Sequence, residues 1–177
     1  MKVGTKSLLF GAHQFLIHPL FVFIAWWRLF GFPADVRLWA AFIVHDWGYW
    51  QSPEMDGPVG KMHPELGGRL MARWFGPEWG AFTWGHSRSY ARLRGVGLSP
   101  LCAADKLATA IEPLWLYLFR VLLTGEWREY MEAEHERPND RGGLLAWVRS
   151  MRVSFREEAE RLGGAYGYVY PGAVRKH

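Results

Sequence analysis

The apolar run at residues 38–44 stops at His45-Asp46, and no other stretch constrains the chain as much. An ionisable pair at the end of a core-facing helix must leave the apolar face and find partners. Adjacent residues on a helix point about 100° apart. A neutral imidazole and a carboxylate so placed suit a borderline divalent metal. The rest of the chain is read as an arrangement that brings further ligands to this pair.

The surroundings are helical. No alternating run of useful length argues for a strand, so the expected class is all-α, a bundle of about six to seven helices. Half of the 177 residues are apolar and eleven are Trp, ample material for the core of one domain spanning residues 1–177. A net charge of +4 biases the chain toward anionic ligands. No run of five basic residues exists, so no nucleic-acid partner is expected. The lone cysteine, Cys102, rules out an internal disulfide and agrees with a cytoplasmic setting. No stretch reaches the ~18 uninterrupted apolar residues of a spanning helix. Peripheral membrane contact through residues 15–27 or 113–123, and a homo-oligomer, stay open.

Taken in order, residues 7–30 form an apolar segment in which Pro19 implies a kink or a broken helix near His18. A second segment, 34–46, has Pro33 in its first turn. Residues 48–62, rich in Pro and Gly, read as a loop rimming a site. His63-Pro64-Glu65 opens a helix that Gly76-Pro77 breaks. A short helix from 78 to 86 continues toward 94. Ser99 and Pro100 open a long helix to 123, kinked at Pro113. Residues 127–136 and the amphipathic 144–162 complete the set, with an irregular tail at 163–177.

Six candidate metal ligands fall in order: His18, His45, Asp46, His63, His86 and Asp105. Each lies near a helix start, end or kink, and helical bundles build two-metal sites from inward ligands on facing helices. Taken singly, each has an ordinary explanation as a core histidine, a cap or a surface pair. As an ordered set they hold two metals if one carboxylate bridges. His13, His135 and His177 are left as structural or solvent-exposed, and Cys102 as a small buried hydrophobe. Arg88 and Lys106 follow two ligands closely and suit an anionic substrate. Tyr49 and Tyr90 have hydroxyls to place in a pocket.

The order His…His-Asp…His…His…Asp resembles the HD-domain superfamily of metal-dependent phosphohydrolases in its two-metal form. Val44-His45-Asp46-Trp47-Gly48 resembles the family's core motif. His63-Pro64-Glu65-Leu66-Gly67 resembles a string of its cyclic-dinucleotide phosphodiesterase branch, and Ala104-Asp105-Lys106-Leu107 its closing Asp. The resemblance covers about residues 7–123 and leaves 124–177 as a helical appendage. It implies one metal on His18, His45, Asp46 and Asp105, and a second on Asp46, His63 and His86. The ions would be Fe, Mn or Zn. Each imidazole would need an outer partner, from a backbone carbonyl, Glu65 or Asp56. The implied activity is hydrolysis of a small phosphate ester or nucleotide by a metal-bridging hydroxide, with Asp46, Arg88 and Lys106 as catalytic residues. Arg88, Lys106, Tyr49 and Tyr90 would contact the substrate.

One departure bears on this. Tyr49 stands where many members carry a lysine, and a phenol adds no positive charge. That leaves room for the superfamily's mixed-valence di-iron oxygenases, which cleave C–C or C–P bonds with O₂. A non-enzymatic helical module is the third expectation.

Overall fold

A computed structural model describes residues 1–135 and 143–165. They form helices α1 (Val3–Phe10), α2 (Ile17–Phe30), α3 (Val36–Val44), α4 (Pro64–Phe75), α5 (Pro77–Trp84) and α6 (Arg88–Arg94). Then follow α7 (Pro100–Ile111), α8 (Leu114–Thr124), α9 (Trp127–His135) and α10 (Gly143–Ala165). Two 3₁₀ turns, Trp47–Tyr49 and Gly60–Met62, interrupt the long loop between α3 and α4. The fold is all-α, with no strand among the described residues. The tail expected to be irregular from 163 is still helical over residues 163–165, the last residues of α10, and from 166 onward it lies outside the described residues.

The ten α-helices among the described residues exceed the six to seven expected because three stretches are broken where pattern alone suggested continuity. The first is a broken helix, as one of the two alternatives had it, but the break lies at residues 11–16, before His18, and Pro19 makes no kink. Pro19 sits in the first turn of α2, where an absent N–H loses no intrahelical bond. Gln14 Oε1 accepts there from the Leu16 and Ile17 amides, at 2.8 and 2.6 Å. Pro33 precedes α3 without entering it, because the Asp35 carboxylate caps α3 by accepting from the Arg37 amide. Ser87 caps α6 as a separate helix. Pro113 makes a full corner: α7 and α8 meet at 96°. The residue before a proline is pushed out of the helical region. Glu112 obeys, with φ −55° and ψ 139°.

The larger core gathers Val22, Ala25 and Trp26 of α2, Leu38, Ala41 and Phe42 of α3, Met71 of α4 and Trp79 of α5 around α7. Helix α7 brings a row of alanines to this contact, Ala103, Ala104, Ala108 and Ala110, all buried. Small side chains let α2 and α10 lie close on either side of it. A second core joins Leu8, Tyr49, Met55, Tyr117, Val121, Tyr130 and Val148. The segment expected as an appendage thus shares both cores, through Val148 and Ala159. No single described helix is long and apolar enough to cross a membrane.

Candidate metal centre

Three of the four clustered histidines use one local device. His45 follows the last turn of α3, His63 ends the second 3₁₀ turn, and His86 follows α5. Each ring Nδ1 donates to the carbonyl three residues back: His45 to Phe42 at 2.9 Å, His63 to Gly60 at 2.8 Å and His86 to Thr83 at 2.6 Å. Carbonyls of a last turn lack an intrahelical partner. The imidazole satisfies one, and the bond fixes both tautomer and aim. Glu65, considered for this outer role, pairs instead with Arg94 and Arg69. Asp56 lies on a cavity wall.

With its proton on Nδ1, each ring turns an Nε2 lone pair inward. All three meet Asp46, which sits just past α3 with φ −97° and ψ 1°. Asp46 Oδ1 lies 3.5 Å from His63 Nε2 and 3.5 Å from His86 Nε2. Its Oδ2 lies 3.1 Å from His45 Nε2 and 3.4 Å from His18 Nε2. Asp105, from the middle of α7, puts Oδ1 2.9 Å from His18 Nε2 and 3.8 Å from His45 Nε2. The six residues fall into two groups that share Asp46: His18, His45, Asp46 and Asp105, and Asp46, His63 and His86. These buried His/Asp groups have the donor atoms to hold a metal ion.

The proton inventory shows that they fit one. His63 and His86 face each other, Nε2 to Nε2, at 3.1 Å. Both Nδ1 atoms are spent on carbonyls, so two neutral rings would oppose lone pair to lone pair, beside a carboxylate. His45 Nε2 and Asp46 Oδ2 are buried without a well-aligned hydrogen bond, although they are close. Converging acceptors of this kind repel unless a cation lies among them.

The titration of the cluster says the same. Burial opposes charge on His45, but Asp46 and Asp105 overcome it and push its pKa up to about 10. His63 goes the other way, to about 3: burial disfavours its charged form, and neighbouring His86 adds to this against the pull of Asp46. Burial also works against ionised Asp46 and Asp105, yet the imidazoles hold both well below the usual carboxylate range. In the metal-free cluster a proton on His45 therefore supplies positive charge that the carboxylates demand, and a bound cation would take its place.

Two glycines set the spacing. A Cβ on Gly48 would overlap the His63 carbonyl, and a Cβ on Gly67 would overlap the Val44 carbonyl beside His45. The chain segments bearing His45-Asp46 and His63 therefore touch backbone to backbone. Gly67→Ala is expected to push α4 off α3 and widen the gap between His63 and Asp46. Loss of metal from the Asp46–His63–His86 group, with the other group retained, would be read by metal stoichiometry. Full occupancy of both groups in the variant would refute this spacing role.

A cavity of about 990 Å³ adjoins the cluster along His18 and Tyr49. Tyr49 stacks on His63 at 4.1 Å between ring centroids and 12° between planes. Opposite stand Tyr117, Tyr130 and residues 147–158 of α10, including Trp147, Phe155 and Glu158. Arg88 reaches this wall, where its guanidinium donates to Glu158 at 2.8 Å. Lys106 turns toward α10, with Nζ 3.2 Å from Glu158 and 4.3 Å from the centre of the Phe155 ring. Tyr90 does not line the cavity. It is buried and its hydroxyl accepts from Arg94 at 2.8 Å, because α6 packs it against Trp84. Burial pushes the Cys102 thiol up to about 12, in keeping with an inert core residue.

Of two further lining residues, His13 was set aside from sequence as structural or solvent-exposed, and Lys61 was passed over. His13 lies between His18 and Tyr49, with ring centroids 5.8 and 4.6 Å away. Lys61 brings a cation to the same cavity from just before His63. Nearness to a candidate ligand was the only available signal for either. His135 and His177 lie where side chains are not described.

Comparison with protein families, with curated proteins and with solved structures gives no match for this chain.

Proposed function

We propose that the chain is a two-metal hydrolase of a small phosphate ester or nucleotide, of the HD type its sequence resembles. One observation supports the reading: the two oxygens of Asp46 face two separate sets of imidazole nitrogens, so a single carboxylate could serve two cation positions. Two such ions, Fe, Mn or Zn, would be held by His18, His45, Asp46 and Asp105 and by Asp46, His63 and His86, and would supply an acidified water and Lewis-acid stabilisation of a phosphoryl group.

The chain's own residues do the rest. The carbonyl-anchored histidines keep the ligand set rigid. Lys61 and Arg88 give the cavity positive charge for an anionic substrate. Tyr49 braces His63 from the cavity side and excludes water from that face of the ring. Arg88 would exchange Glu158 for a phosphate oxygen at little cost, because its own side chain is more than half exposed and Glu158 keeps Lys106 as a partner.

A di-iron oxygenase is the second reading. It is favoured by the phenol of Tyr49 in place of a lysine and by the aromatic wall of Tyr117, Tyr130 and Phe155. Metal analysis and turnover of p-nitrophenyl phosphate and nucleotides, with and without O₂, separate the two. The expected result is two metals per chain, hydrolysis without O₂, loss on chelation and recovery with Mn or Zn. A mixed-valence iron spin resonance with O₂-dependent turnover would replace the first reading by the second. Failure to bind any transition metal after reconstitution would end both.

A further inference from the structure

A buried hydrogen-bond chain runs from the α8–α9 link to the cavity beside the cluster. Its anchor is Glu126, fully buried. Glu126 Oε1 accepts from the Ala12 amide at 2.8 Å and faces Thr124 Oγ1 at 2.9 Å. Its Oε2 accepts from Ser7 Oγ at 2.6 Å and from the Tyr130 hydroxyl at 3.2 Å. A carboxylate so surrounded by donors is an acceptor only, and 2.6 Å is the length of a charge-assisted O–H···O⁻ bond.

Ser7 has one hydrogen, and Glu126 takes it. Ser7 Oγ can therefore only accept from its other neighbour, His13 Nδ1, at 3.0 Å. The His13 amide points at the same oxygen from 3.4 Å. Nδ1 thus carries a proton, and a ring with that one proton keeps its lone pair on Nε2. His13 lines the cavity next to His18 and Tyr49, and Nε2 has no partner among the described residues.

We propose that Glu126 and Ser7 fix His13 as a hydrogen-bond acceptor for the reacting molecule, so that the site selects ligands carrying an O–H or N–H donor beside the atom held at the cluster. This inference rests on the proposed two-metal site for its location, but not for the state of the ring. Glu126 and Ser7 are positioning residues. His13 is the group that touches the ligand.

The selection follows from unequal penalties. A ligand with a donor satisfies Nε2, whereas one that offers an acceptor sets two lone pairs against each other. Hydrogen phosphate and sulfate form a matched probe pair, alike in shape and charge at mildly alkaline pH, but only hydrogen phosphate has an O–H.

Two measurements on the full chain test the proposal. The first is nitrogen NMR of the His13 ring, in metal-free and zinc-loaded protein. The Nδ1–H tautomer is expected in the parent, with a mixture of tautomers in Ser7→Ala. An Nε2–H tautomer or an imidazolium in the parent would overturn the proposal. The second is calorimetry of inorganic phosphate and sulfate binding to zinc-loaded protein. Here the preference for phosphate is expected to fall about tenfold in His13→Ala and by less in Ser7→Ala. A preference unchanged in His13→Ala would overturn the proposal, because the metals alone would then account for it. If the chain binds no metal, the function proposed above fails, and the tautomer in metal-free protein still decides this inference.

Discussion

Asp46→Asn is expected to strip metal from both groups at once, while His63→Ala empties only the group of Asp46, His63 and His86. The difference follows from position. Asp46 Oδ1 serves His63 and His86, and Oδ2 serves His18 and His45. An amide keeps the shape but loses the charge, and one of its two ends becomes a donor. That end can no longer ligate, and the other lacks the charge to hold two cations near each other. Metal content measured after dialysis should fall for both groups in Asp46→Asn and for one in His63→Ala. Turnover in Asp46→Asn should drop by about 10²–10³-fold or more, the scale on which loss of one preorganised electrostatic contact acts. A second readout needs no metal. Without the Asp46 charge only Asp105 still opposes burial at His45, so its pKa should fall below the parent's value of about 10. If Asp46→Asn keeps both metals, the carboxylate does not bridge them, and the two groups are unconnected polar clusters.

The site was legible where chemistry and punctuation coincide. His45, His63 and His86 each sit at the end of a helical turn, and Pro64 and Pro100 mark helix starts that the structure keeps. A break beside an ionisable residue is visible in one dimension. The failures are all matters of distant contact. The corner at Pro113 read as a kink because apolar residues continue on both sides, and pattern does not say how far a chain turns. Arg88 and Lys106 were read as near substrate, and what the sequence did not show is that Glu158 of α10, at least 52 positions along the chain, pairs with both, while Arg88 also lines the cavity. The amphipathic stripe of α10 was readable, whereas its partner α7 was not, because a stripe specifies burial without specifying against what. His13 was set aside for the same reason. Its orientation depends on a serine six residues before it and a glutamate 113 residues after it, and no local pattern links the three.

The corner that pattern missed should also be the most fragile place in the fold. Arg120→Met is expected to destabilise the chain by about 3–5 kcal/mol, measured by urea unfolding of the metal-free protein. Arg120 and Glu112 are almost wholly buried, and Arg120 Nη2 donates to Glu112 Oε2 at 2.5 Å. Arg120 Nη1 donates to the Gly11 carbonyl at 2.8 Å. Arg152 of α10 closes the corner from the other side, donating to the Ala110 and Glu112 carbonyls at 2.7 and 2.5 Å. Removing the guanidinium leaves a buried carboxylate and a carbonyl without their donor. The carboxylate is already strained electrostatically: burial pushes the Glu112 pKa up, outweighing the pull of Arg120. Without Arg120 it rises further above the unfolded value of 4.5. A raised carboxyl costs stability as it ionises, so the deficit of Arg120→Met should be small at acid pH and grow as pH rises past 4.5. The double variant Arg120→Met/Glu112→Leu removes both charges together and should recover much of the loss. A double variant as unstable as the single would mean that the cost lies in the lost bond to Gly11, and hence in the link that carries His13, rather than in an orphaned charge.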